Sequence, residues 1–202
     1  MDKKRKRLID NVSYLIEALD AYRVGRNADP KVFEGKYEEI ADDIRSVIDR
    51  GRKKVLMSSI DYMINLPLKD RDAKTWSSIF LISRFLIRIT FTLLLLSVLL
   101  YIISPGQIAS YLLIAGVVLF YAASVLRWHS LNKLLDFYGK QTGRADSRRA
   151  LLREAAQDLI NYLKQIKGDK KVKLHLYNRD YDGVKVLRRP GWLRDYYLVE
   201  VI

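Results

Sequence analysis

Residues 89–126 read ITFTLLLLSVLLYIISPGQIASYLLIAGVVLFYAASVL and contain no Lys, Arg, Asp, Glu or His. We predict two membrane-spanning helices in and around this stretch, the first over residues 79–103 and the second over residues 108–126. A helix needs roughly 20 residues to cross about 30 Å of hydrocarbon, so both segments are long enough. Between them, Ser104-Pro105-Gly106-Gln107 leaves room only for a reversal of the chain. The sequence therefore predicts an antiparallel transmembrane hairpin within residues 76–128.

The alternative is a soluble helical hairpin that lies buried inside a larger domain. Two helices that are apolar all round would need an extensive amphipathic cover. A chain of 202 residues contains too little amphipathic sequence to provide one. We therefore favour the membrane interpretation.

Both predicted spans end in residues that are typical of a membrane interface. Arg84 and Arg88 lie one helical turn apart, where their long stems can reach the headgroups, and His129 follows the second span. A basic run also opens the chain, and it either contacts anionic lipid or is simply a solvated helix end. The residues predicted to contact lipid headgroups are Lys3, Lys4, Arg5, Lys6, Arg7, Trp76, Arg84, Arg88, Arg127 and Trp128.

The distribution of charge predicts how the hairpin is oriented. The chain has 36 Lys and Arg against 23 Asp and Glu, a formal net charge of +13. Of the basic residues, 19 lie in residues 1–88, 17 lie in residues 127–202, and the turn between the spans contains none. The positive-inside rule then places both termini in the cytoplasm of a cell-membrane protein. The chain has no cysteine, which excludes disulfides and thiolate metal sites.

The N-terminal flank, residues 1–75, is predicted to be helical. Apolar residues recur at helical spacing in residues 2–25, and Asp29-Pro30 opens a second helix. That helix would pack on the first one or dimerise as a coiled coil. Residues 53–65 are interpreted as a helix, with a buried strand as the alternative, and residues 68–75 as a charged linker. The apolar seam of the second helix consists of Phe33, Tyr37, Ile40, Ile44 and Val47.

The C-terminal flank, residues 129–202, is predicted to be mixed. The second span continues as a helix to Gly139, and another helix covers residues 145–167. After that the apolar period changes to two, over residues 172–177, 184–187 and 196–202. These three strands are expected to form an antiparallel meander that buries one face on the 145–167 helix or on the N-terminal helices. The predicted fold is thus a mostly α membrane protein with an α+β cytoplasmic part.

The chain shows little sign of catalytic chemistry. It has no glycine-rich phosphate loop, no HExxH and no Gly-x-Ser-x-Gly motif. His175 and Asp182 follow the spacing of the phospholipase D type signature, but Tyr177 occupies the position of the signature lysine. The turn acids Asp169 and Asp180 are interpreted as ordinary turn residues rather than cation ligands. We predict no catalytic residues, no cofactor and no metal.

Three functions are compatible with these features. The first is a non-enzymatic two-pass membrane anchor, adaptor or assembly subunit, whose partners are membrane lipids and either another protein or further copies of itself. The second is an oligomeric pore, because over residues 80–165 the layout resembles the two-transmembrane effector proteins of prokaryotic defence systems. The third is a membrane-tethered nucleic-acid or ribosome-binding protein. For a partner or nucleic acid, the candidate contacts are Arg188, Arg189, Trp192 and Arg194.

Overall fold

The computed structural model describes residues 3–26, 28–190 and 195–202. The chain is mostly helical, with a small antiparallel sheet near its C-terminus. It divides into two compact units, where the sequence predicted three successive segments. We call Met1–Asn65 together with Gln141–Ile202 the flank unit, and Leu66–Lys140 the hairpin unit.

The described residues of the flank unit form the helices α1 (Lys3–Arg23), α2 (Pro30–Glu38), α3 (Arg50–Asn65) and α6 (Arg144–Lys167). Residues 53–65 are thus helical, as predicted in preference to a strand, and the helix begins three residues earlier. The Asp29 side chain accepts a hydrogen bond from the Lys31 amide at 2.9 Å, which caps α2 as expected. Gly25 (φ 67°) and Gly168 (φ 56°) follow α1 and α6 in a left-handed conformation that glycine adopts at little cost.

The core of the flank unit lies where α1 packs against α6, although 120 residues, 24–143, lie between them in sequence. Each helix buries one stripe of side chains at three- and four-residue spacing, as the sequence predicted. The two flanks of the hairpin therefore form one folded body, a question that the sequence had left open. The fully buried members include Val12, Leu15, Ile16 and Leu19 from α1, with Leu152, Leu159, Ile160 and Leu163 from α6.

Residues 39–48 do not continue α2, so the predicted long second helix is wrong. The chain forms successive turns whose amides alternate between bonding three and four residues back. This change of pitch buries Ile48 instead of Val47 and lets the Tyr37 hydroxyl donate to the Ile48 carbonyl at 3.0 Å. The other seam residues, Phe33, Tyr37, Ile40 and Ile44, are buried inside the chain rather than left exposed for a coiled-coil dimer.

The sheet contains β1 (Lys173–Leu176), β2 (Val184–Arg188) and β3 (Tyr197–Val201). All neighbouring strands are antiparallel, but their order is β1-β3-β2, so the predicted meander is wrong. Strand β3 lies in the middle, and the connection from β1 to β2, residues 177–183, is hydrogen-bonded to side chains of α1 and α6. The sheet packs on both of these helices, through β1 on α1 and β3 on α6.

The hairpin unit contains a 3₁₀ turn (Leu66–Lys69) and two long helices, α4 (Arg71–Ile103) and α5 (Gln107–Lys140). Helix α4 begins within the predicted linker because the Asp70 side chain caps it, accepting from the Ala73 amide at 2.8 Å. It ends at Ile103, and α5 begins at Gln107, as the Pro-Gly turn predicted. Helix α5 also continues past the second span to Lys140.

Candidate functional site

The largest unusual surface of the molecule is the outside of the hairpin unit. In the most apolar 18-residue stretch of α4, only 6% of the residues are buried, and in that of α5 only 17%. Phe85 is 64% exposed, Ile103 80% and Ile108 76%. A core helix of a soluble domain buries such residues, whereas an exposed apolar surface of this kind marks contact with a membrane or with another protein. Both helices are long and apolar enough to cross a membrane.

Small residues hold α4 and α5 together. On α5, the buried positions Ala109, Gly116, Ala123 and Ser130 recur every seven residues. A Cβ atom placed on Gly116 would lie 3.4 Å from the Leu94 Cα atom, which shows how closely the two backbones approach. Gly116 and Ala123 are thus buried between the two helices of one chain.

Most serine and threonine hydroxyls of the hairpin donate to a backbone carbonyl of their own helix. Thr90 donates to the Leu86 carbonyl at 2.8 Å, and Ser97 donates to the Leu93 carbonyl at 2.8 Å. The same bond to a carbonyl three or four residues earlier is made by Ser83, Thr92, Ser110, Ser124 and Ser130. Because hydrocarbon offers no hydrogen-bond partner, this pattern suits helices surrounded by lipid.

The charged residues of the hairpin lie at the end away from the turn. The interval from Arg84 to Ser104 on α4 has the same number of residues as the interval from Gln107 to Arg127 on α5. Each interval corresponds to about 30 Å of helix. This length equals the hydrocarbon thickness of a typical bilayer. Arg88 lies about 6 Å nearer the turn, within the reach of an arginine stem. All three arginines are exposed.

The two tryptophans predicted at the interface lie near these arginines in sequence but differ in exposure. Trp128 is 62% exposed. Trp76 is half-buried, and its ring meets His129 edge to face with the ring centroids 5.3 Å apart. A half-exposed aromatic pair outside the apolar stretch is typical of a membrane interface.

The N-terminal basic run is exposed, but part of it makes contacts within the flank unit. The Arg5 guanidinium donates to the Ile166 carbonyl at 2.8 Å and so satisfies the C-terminal end of α6. Arg7 pairs with Glu39 at 3.0 Å, and Lys4 with Asp43 at 3.6 Å. Lys3 and Lys6 are exposed as well. The run therefore also positions α1 against its neighbours, a role that the sequence did not indicate.

Of the residues proposed to contact a partner or nucleic acid, Arg188 and Arg189 are exposed at the end of β2. Trp192 and Arg194 lie outside the described residues. No stacking platform for bases is therefore established at this position.

Asp20 accepts several hydrogen bonds in the core of the flank unit, and the sequence did not indicate this role. Its side chain is fully buried and accepts from the Tyr181 hydroxyl at 2.8 Å, from the Asn178 side-chain amide at 2.8 Å and from the Tyr177 amide. Burial raises the pKa of Asp20, and these hydrogen bonds oppose the rise. One signal was present: Asp20 falls on the buried stripe of α1, where a carboxylate requires partners.

Arg23 extends this network to the loop between β1 and β2. It donates to both carboxylate oxygens of Asp180, at 2.9 and 2.6 Å, and to the Tyr181 hydroxyl at 2.8 Å. Arg153 of α6 donates to the Asp180 carbonyl at 2.8 Å. The hydrogen bonds from Arg23 lower the pKa of Asp180. We call Asp20, Arg23, Asp180 and Tyr181 the Asp20 network, which ties α1 and α6 to the sheet.

The residues of the phospholipase-like spacing make structural contacts. The His175 amide donates to Glu17 at 2.8 Å, and its imidazole lies 3.2 Å from the same carboxylate. The Gln157 side chain accepts a hydrogen bond from the Asp182 amide at 2.9 Å and donates one to the Asp182 carbonyl at 3.1 Å. Among the described residues, no group of three or more His, Cys, Asp or Glu is placed to hold a metal ion.

Comparison with protein-family models, with curated proteins and with solved structures gives no significant match to this chain.

Proposed function

We propose that this protein crosses a membrane twice, with both termini on the cytoplasmic side, and acts without catalysis as an anchor or adaptor for another protein. The observation that carries the membrane part is the exposed apolar surface of α4 and α5, which extends about 30 Å from the turn to Arg84 and Arg127.

The orientation rests on charge. Outside the apolar stretch the chain is strongly basic, and the turn around Pro105 has no basic residue to hold it in the cytoplasm. A hairpin that crosses the membrane twice returns the chain to its starting side. The flank unit, built from both ends of the chain, then folds as one body on the cytoplasmic side.

The adaptor part rests on the character of the flank unit. Its interior contains an apolar core and the Asp20 network. Its surface is basic around Lys185, Arg188 and Arg189. Such a surface recognises acidic partners by charge complementarity.

The absence of native cysteine allows a direct test of insertion and orientation. Single Gln107→Cys and Asp169→Cys variants would be expressed in intact cells and treated with a membrane-impermeant maleimide. We expect Gln107→Cys to react from outside and Asp169→Cys to react only after permeabilisation, with the cysteine-free parent as the control. Release of the chain from membranes by alkaline carbonate, or labelling of both sites from one side, would refute the two-pass arrangement.

The adaptor role is tested on the protein purified from native membranes in detergent. We expect a second protein at fixed stoichiometry, with the complex mass read by light scattering. A pure homo-oligomer that conducts ions in planar bilayers would instead establish the pore.

A further inference from the structure

The two edges of the sheet differ in the surroundings of their outward-pointing backbone groups. Strand β1 forms one edge, and two carboxylates of α1 close it: Glu17 accepts from the His175 amide at 2.8 Å, and Asp20 accepts from the Tyr177 amide. These amides are two residues apart on the strand, and the acids are three residues apart on the helix. The helix therefore takes the place of a further strand along this edge.

Strand β2 forms the other edge, and its outward groups can be identified from the register. The Ile202 amide donates to the Gly183 carbonyl at 3.0 Å, so bonding toward β3 occurs at Gly183 and, two residues on, at Lys185. The N–H and C=O groups of Val184 and Val186 therefore point away from β3. In the part of the chain that the structure describes, the sheet ends at β2.

Two apolar side chains of β2 are exposed, whereas the apolar side chains of β1 and β3 are buried or half-buried. Val186 is 41% exposed and Leu187 37%, while Leu174 of β1 and Val199 of β3 are fully buried. The register shifts between Val186 and Arg188, which places an irregularity at the exposed edge. Apolar side chains beside outward-pointing backbone groups are the features by which a sheet edge recognises an added strand.

Charge decides which strand can be added. The exposed residues Lys185, Arg188 and Arg189 make this edge basic. A second copy of β2 would bring these cations against their own counterparts, and like charges on neighbouring strands repel. An acidic strand would be attracted by the same charges.

We propose that the outer edge of β2 binds an extended segment of a partner protein that carries acidic and apolar residues, and that this segment adds to the sheet as a fourth strand. The inference rests on the adaptor role proposed above and specifies the surface through which it acts. The backbone of Val184 and Val186 supplies the hydrogen bonds, and the three cations select acidic sequences.

The test is hydrogen exchange, read by mass spectrometry, on the full chain in detergent micelles. The probe is a synthetic octapeptide of alternating Glu and Val, and a Lys-Val octapeptide and a short RNA serve as comparisons. We expect the Glu-Val peptide to slow exchange of the segment that contains Val184 and Val186 about tenfold, with a saturable concentration dependence. The Lys-Val peptide and the RNA should leave this segment unchanged.

Two variants separate backbone recognition from charge. Val186→Pro removes an outward amide without removing a bond to β3, so it should abolish the protection while the sheet stays folded by circular dichroism. The double change Arg188→Glu with Arg189→Glu should weaken the protection at least tenfold. Lys173→Glu, an exposed charge change on β1, should leave it intact.

Unchanged exchange with the acidic peptide, equal protection by the Lys-Val peptide, or protection by RNA would each overturn the inference. These outcomes are independent of the membrane tests. A chain that inserts in the membrane but shows no protection of β2 retains its anchor role and loses only this site. If carbonate extracts the chain from membranes but the chain still binds the peptide, only the anchor role is refuted.

Discussion

The flank unit and the hairpin unit are held together by opposite means. The flank unit buries large aliphatic side chains and, among them, a carboxylate that accepts several hydrogen bonds. The hairpin unit leaves its large aliphatic side chains exposed and brings its helices together through Ala, Gly, Ser and Thr. In water, burial of apolar area drives packing; in lipid it does not, so close contact between backbones must replace it.

The largest effect is expected when the Asp20 network is broken. Asp20→Ala leaves the Tyr181 hydroxyl, the Asn178 side-chain amide and the Tyr177 amide without their buried acceptor, while Arg23 keeps its bonds to Asp180. Each buried donor left unsatisfied costs about 1–3 kcal/mol, so the free energy of unfolding of the flank unit should fall by about 3 kcal/mol or more. Hydrogen exchange of α6 amides measures the loss. The exposed Asp42→Ala is the control and should change the free energy by less than about 0.5 kcal/mol. Similar values for both variants would show that the network contributes nothing.

An intermediate effect is expected at the contact between the hairpin helices. Gly116→Leu places a side chain where a Cβ atom alone already lies 3.4 Å from the Leu94 backbone, so α4 and α5 must separate. Overpacking of this kind costs about 1–3 kcal/mol. The neighbouring Ala115→Leu, on the exposed face, should be neutral. Titration with sodium dodecyl sulfate, monitored by tryptophan fluorescence, compares the resistance of the two variants to unfolding. Equal sensitivity of the two variants would contradict the close approach of the helices.

The smallest effect is expected from pH, and it affects the flank unit alone. Because the hydrogen bonds from Arg23 lower the pKa of folded Asp180, the unfolded chain takes up this proton first as the pH falls. The stabilisation is complete above the ordinary Asp pKa of about 4 and is lost as the pH falls below it through the folded-state pKa. Asp180 is 44% exposed, so the effect should be modest.

The Asp180→Asn variant isolates this contribution. It should be less stable than the parent near neutral pH, and the difference should shrink at acid pH. Denaturant titrations of both proteins across this range provide the measurement. A difference that does not change with pH would mean that the carboxylate charge of Asp180 does not stabilise the fold.

Much of the fold could be predicted because the signals are local. The end of α4 at Ile103, the turn at Pro105 and the start of α5 depend on an apolar run interrupted by two turn-forming residues. The stripes of α1 and α6 and the three strand segments depend on periodicity within each segment. Arg84, Arg88, Arg127 and Trp128 are exposed near the ends of the apolar run, and their contact with lipid headgroups stays a prediction.

The remaining features depend on which distant segments meet. Periodicity predicted the apolar stripe of α1 but not the element that packs on it, because any apolar stripe of similar width could bury that of α1. The role of Asp20 could not be derived from its neighbours in sequence, since its hydrogen-bond partners Tyr177, Asn178 and Tyr181 lie about 160 residues away. For the same reason the order β1-β3-β2 was missed, because periodicity within each segment does not specify which strands pair. The sequence by itself thus determined the segments and the apolar hairpin, whereas only the tertiary structure decided how the two flanks combine and which sheet edge stays open.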